Sequence, residues 1–98
     1  MKNIAVIGLG YVGLPLARLF ATKYPVIGFD INQKRIDELR AGKDFTLEVE
    51  DDILQAVLVK ENPFTTNTNG LLCSNVLADI EAANFYVVTV PTPVDKNN

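Results

Sequence analysis

The run Gly8-Leu9-Gly10-Tyr11-Val12-Gly13 sets three glycines at GxGxxG spacing, and Asp30 stands 20 residues after the second of them. Between a strand and a helix, such glycines seat a diphosphate. Gly8 permits a tight turn out of the strand, Gly10 lets backbone N–H groups approach the anion with no Cβ in the way, and Gly13 lets helix and sheet pack closely. Tyr11 and Val12 would act through their backbone. The unpaired amides and partial positive charge of the helix N-terminus add attraction for the anion. A carboxylate at the position of Asp30 accepts hydrogen bonds from ribose hydroxyls and would repel a 2′-phosphate, which favours NAD over NADP. The bland alternatives are a ligand-free βα turn and, for Asp30, a loop or cap carboxylate. Arg35 has two readings, one lining the adenosine side of this site and one as a solvated helix residue.

The elements that must hold these residues follow from apolar spacing. Residues 3–7 (NIAVI) form a short β-branched run bounded by Gly8, as expected for a strand buried on both faces. From Val12 the period changes, with Val12, Leu16, Leu19 and Phe20 on one helical stripe, and Pro15 tolerated in the first turn. Tyr24-Pro25 ends that helix, and Val26 to Phe29 makes a second strand closed by Asp30. Asn32 is a reasonable N-cap for a helix carrying Ile36 and Leu39, with Gly42 as its stop. A third helix is expected over about residues 50 to 59, with Glu50, Asp51 and Asp52 at its positive end and Ile53, Leu54, Val57 and Leu58 inward. The acidic run Glu48 to Asp52 is otherwise a solvated helix start. In the turn-rich stretch Lys60 to Gly70, Asn69-Gly70 either closes a hairpin between Phe64–Thr68 and Leu71–Ser74 or leads into a strand. Ala78 to Ala83 reads as a short helix or helical turn, and Phe85 to Val90 as the strongest strand.

This alternation of strands and helices implies a parallel sheet with right-handed crossovers. The fold class is α/β: a partial Rossmann fold, comprising the first mononucleotide-binding half of a doubly wound sheet plus its fourth strand. Pro91-Thr92-Pro93 leaves the sheet beside the first strand, where strand order reverses, so the Thr92 hydroxyl is a candidate cofactor contact. Cys73, inside an apolar strand, is expected in the core rather than as a nucleophile.

Composition excludes several other functions. The chain has 98 residues, 48 % hydrophobic and 21 % charged, which suits one globular domain. Nine basic against 12 acidic residues, net −3, argue against nucleic acid and against a polybasic membrane surface. No run reaches the ~20 apolar residues of a membrane span. No secretory signal pattern is visible, and a single cysteine fits a reducing, cytoplasmic setting. With no histidine and one cysteine, neither a zinc site nor a His-dependent catalytic triad can be assembled from these residues.

Three stretches in order, GLGYVGLPLA (Gly8 to Ala17), GFDIN with Lys34-Arg35-Ile36 and Leu39, and VTVPTPVD (Val88 to Asp95), resemble the UDP-glucose/GDP-mannose dehydrogenase family. Within it the likeness runs to the UDP-N-acetylhexosamine 6-dehydrogenases of bacterial capsule, Vi and O-antigen synthesis. The resemblance implies a parent enzyme that oxidises the C6 alcohol of a UDP-sugar to a carboxylate in two NAD-dependent steps, working as a homo-oligomer. Gly8, Gly10 and Gly13 then match the pyrophosphate loop, Tyr11 and Val12 its backbone donors, Asp30 the ribose acid, Arg35 the basic residue five positions on, and Thr92 the loop threonine. The family's catalytic cysteine, lysine and glutamate match nothing in this sequence. Residues 1–98 are accordingly expected to be an N-terminal NAD-binding portion, without the rest of the Rossmann fold or the central helical and C-terminal domains, and inactive alone. A non-catalytic NAD-sensing module and a β-hydroxyacid-type dehydrogenase are the competing readings, and neither explains VPTPVD.

Overall fold

The computed structural model describes residues 2–45 and 48–89. Its elements run β1 (Ile4–Ile7), α1 (Gly13–Ala21), β2 (Pro25–Phe29), α2 (Gln33–Arg40), α3 (Asp51–Val57), α4 (Pro63–Thr66), β3 (Gly70–Ser74), a 3-10 turn (Leu77–Ile80) and β4 (Phe85–Val88). The strands form one parallel sheet in the order β3-β2-β1-β4. Ile4 pairs with Val26 on one side and with Phe85 on the other, so β1 is central. After β3 the chain returns to the far side of β1, and this reversal opens the crevice at the carboxyl ends of β1 and β4.

Alternate side chains divide the sheet into two cores. Ile4, Val6, Val26, Leu71 and Cys73 pack with Leu14 and Ala17 of α1, Ile36 and Leu39 of α2, and Leu54 of α3. Ala5, Ile27 and Phe29 face the opposite way, against Phe64 of α4 and Ile80 of the 3-10 turn. Each large side chain enclosed this way contributes about 1.5–3 kcal/mol.

The buried face of α1 differs from the predicted stripe. Gly13, Leu14, Ala17 and Ala21 point inward, whereas Val12 is 64 % and Leu19 57 % exposed. Small residues at 13, 17 and 21 let the helix axis approach the sheet more closely than a stripe of large residues allows. A Cβ on Gly13 would lie 1.6 Å from the Gly8 carbonyl oxygen.

Helix α2 begins as expected, with the Asn32 side chain accepting from the Arg35 N–H at 3.2 Å, and it stops before Gly42. Helix α3 is shorter than expected, and Ile53 is turned outward. Leu58 has already left α3 to bridge Leu71, since pairing with β3 satisfies more backbone there than another helical turn would. There is no hairpin after Lys60. Asn62 caps the Phe64 N–H at 2.8 Å, Pro63 opens α4, and Asn67 closes it in the left-handed conformation at φ 60°. Asn69-Gly70 therefore leads into β3. The short helix or helical turn expected over Ala78 to Ala83 is a single 3-10 turn beginning one residue earlier, at Leu77, and β4 extends to Val88; Val90 lies outside the described residues.

Candidate functional site

Where β1 ends, the Gly8 N–H donates to the Phe29 carbonyl at 2.8 Å and the chain turns with Gly8 at φ +95°. A side chain at Gly8 would meet the Thr89 carbonyl oxygen at 1.8 Å, so both space and backbone require glycine. The Thr89 hydroxyl donates to the Gly8 carbonyl at 2.8 Å, and a Gly13 Cβ would lie 2.5 Å from that hydroxyl oxygen. Gly8, Gly13 and Thr89 thus lock together where β1, α1 and β4 converge. Sequence reasoning missed Thr89, although its place directly after the FYVV strand was the available signal.

Gly10 has the opposite surroundings. It is exposed, and a Cβ built on it would meet nothing within 4 Å. Among the described residues, the N–H groups of Gly10, Tyr11, Val12 and Gly13 donate to no protein acceptor. Helix α1 has no side-chain cap at Val12 and no acid in its first turn. A helix start left this way presents about half a unit of positive charge and several orphan donors. The side chains of Tyr11 and Val12 stand in solvent, leaving only their backbone to act.

Asp30 joins this loop directly. One carboxylate oxygen accepts from the Leu9 N–H at 2.9 Å, and the other accepts from the Asn32 N–H at 2.9 Å. A carboxylate offers about four acceptor positions, so each oxygen keeps capacity for a hydroxyl donor. Arg35 is also brought to the loop, but from beneath. It is 8 % exposed, and its Nε donates to the Leu9 carbonyl at 2.7 Å. The solvated reading of Arg35 is therefore wrong, because the guanidinium finds carboxylates inside the domain, Glu38 and Asp44, each at 2.8 Å. Thr92 lies outside the described residues. Gly8, Gly10, Tyr11, Val12, Gly13, Asp30 and Arg35 form one cluster.

Cys73 is fully enclosed, and burial pushes its thiol up to about 12 while the nearby Arg40 and Arg35 guanidinium groups pull the other way. A thiol so protonated is no nucleophile. A cavity of about 490 Å³ beside β3 is lined by Arg40, Gly42, Gln55, Lys60 and Leu72, and by no residue of the glycine loop. Among the described residues no cluster of His, Cys, Asp or Glu could hold a metal ion, and no helix is long and apolar enough to cross a membrane.

Residues 2–98 match the UDP-glucose/GDP-mannose dehydrogenase family, NAD binding domain. The chain is 50 % identical over 95 residues to the UDP-N-acetyl-D-glucosamine 6-dehydrogenase of Pseudomonas aeruginosa, covering 97 % of this chain and 20 % of that protein. It is 47 % identical over 97 residues to the protein CapL of Staphylococcus aureus, covering 99 % and 20 %. The solved structure of the UDP-D-ManNAc dehydrogenase from Pyrococcus horikoshii superposes with a TM-score of 0.79 at 30 % identity, over 99 % of this chain and 22 % of that one. The chain thus spans about one fifth of the length of the curated relatives it matches. With its glycine turn, its uncapped α1 and the carboxylate of Asp30 bonded to that turn, the chain belongs to the UDP-glucose/GDP-mannose dehydrogenase family and matches its NAD-binding domain.

Proposed function

We propose that this chain is the adenosine-diphosphate-binding half of the NAD site in a UDP-sugar 6-dehydrogenase. In this reading it comprises the first mononucleotide unit and fourth strand of a larger Rossmann domain. One observation carries the assignment: the Asp30 carboxylate lies against the glycine loop while, among the described residues, the loop's next four amides have no protein partner. The residues fit the cofactor. The space beside Gly10 that a Cβ would enter is open, as the approach of a diphosphate requires, and the start of α1 supplies N–H donors and positive potential. Asp30 accepts from the adenosine ribose and disfavours a 2′-phosphate. Tyr11 and Val12 contribute backbone donors, Gly8 and Gly13 let the turn close, Arg35 supports the loop from within, and Thr92 supplies a hydroxyl near the cofactor.

When bound, NAD supplies the hydride acceptor for oxidation of the sugar alcohol. The residues described here bind and orient it, and their charge pattern sets cofactor choice. The thiol and base chemistry of a UDP-sugar oxidation would come from other parts of the parent protein, with the sugar bound mainly there. The 98 residues alone should therefore show no NAD reduction with any UDP-sugar.

Calorimetric titration of the chain with NAD and NADP, run beside Asp30→Ala, tests the assignment. NAD should bind more tightly than NADP, and the substitution should weaken NAD by about 1.5–3 kcal/mol, the range for a hydrogen bond to a charged group. Equal affinity for both dinucleotides, or an Asp30→Ala protein that binds NAD like the wild type, rejects it.

A further inference from the structure

Both backbone polar groups of Leu9 are held by side chains from elsewhere in the sequence. Asp30 accepts from its N–H, and Arg35 donates to its carbonyl. Asp30 and the backbone thus fix one side of the glycine turn, while Arg35 fixes the other. The orientation of Arg35 is set in turn by two carboxylates, Glu38 and Asp44, which both accept from its Nη1 at 2.8 Å.

Asp44 is the more consequential partner. It is 2 % exposed, and its second oxygen accepts from the Glu48 and Val49 N–H groups, each at 2.9 Å. Glu38 similarly accepts from the Phe45 N–H at 2.9 Å. A continuous series of charge-assisted bonds therefore runs from the segment after α2, through Asp44 and Arg35, to the Leu9 carbonyl. Buried charge networks of this kind hold geometry strictly, because losing one member leaves the others desolvated without a partner.

We infer that Asp44 is a positioning residue for the cofactor site: acting through Arg35, it sets the orientation of the Leu9–Gly10 peptide and so the direction of the amides that follow. The bonds that connect Asp44 to the glycine turn run through the Arg35 guanidinium. The functional half of this inference rests on the proposed cofactor site, whereas the structural half concerns the loop alone.

Amide hydrogen exchange on the chain, followed residue by residue with Asp44→Asn, separates local positioning from general stability. An amide at position 44 can accept from Arg35 or from the Glu48 and Val49 N–H groups, but its NH₂ opposes one of these donors. The Leu9 and Leu14 amides should exchange about tenfold faster relative to the ladder amides of β1, β2 and β3, the NAD dissociation constant should rise by about the same factor, and Glu38→Gln should do the same to a smaller degree. Uniform acceleration at loop and ladder alike would overturn the inference, since it would assign Asp44 to global stability only. If Asp44→Asn does not fold, Glu38→Gln decides by the same ratio, with no selective change at Leu9 overturning the inference. Failure of the wild-type chain to bind NAD would reject the proposed site, while the exchange ratio without ligand would still decide whether Asp44 positions the loop.

Discussion

Cys73 sits in β3 with its thiol enclosed, and a proton on sulfur is favoured there because a thiolate would lose its hydration. The ordinary thiol value is 9.0 and the folded value about 12, so the unfolded chain ionises first as pH rises. Below pH 9 both states keep the proton and the cysteine contributes no pH dependence. Between pH 9 and about 12, stability should fall by about 1.4 kcal/mol per pH unit from this group. Urea unfolding of the wild type and Cys73→Ala at pH 8, 9.5 and 10.5 measures it. The substitution lowers stability throughout by leaving a small cavity, and the gap between the two proteins should narrow as pH rises. A constant gap would contradict the assignment.

At the scale of elements, α1 starts tight against the β1 turn. Gly13→Ala would place a methyl 1.6 Å from the Gly8 carbonyl oxygen, a backbone atom that cannot move without disturbing the turn. Its unfolding free energy should drop by about 3 kcal/mol or more, seen as a lower urea midpoint with unchanged slope. A drop below 1 kcal/mol would show that α1 can slide. This helix also marks the limit of what sequence reveals. The strands, the helices α1 and α2, the cap at Asn32 and the pairing of the glycine loop with Asp30 were legible because each depends on local backbone needs, whereas α4 was not. The face of α1 was not, since apolar periodicity rewards large side chains and this interface selects small ones. The Asn69-Gly70 pair suits a hairpin and a strand entry equally, and only pairing with β2 decides between them. Arg35 and Asp44 were unreadable as a pair because an exposed helix cation and a buried one have the same local sequence, and their contact is made only after the chain folds back.

At the scale of the molecule, β4 is an edge of the described sheet. Phe85, Tyr86 and Val88 are exposed, and among the described residues β4 pairs with β1 on one side only. An unpaired apolar edge invites another strand. The 98 residues on their own should therefore self-associate, with the weight-average mass in sedimentation equilibrium rising over micromolar concentrations and Val88→Lys reducing the rise. A single monomer mass across that range would count against it.

The double engagement of Asp30 has a practical consequence for anyone wishing to retrain the domain toward NADP. The usual strategy of removing the acid to admit a phosphorylated ribose would here also release the Leu9 N–H from its acceptor. If Asp30 reads the ribose as proposed, selectivity and loop order depend on the same carboxylate, and such a redesign would gain a new coenzyme at the expense of grip on both. A successful version would have to restore, from another side chain, the acceptor that Leu9 loses.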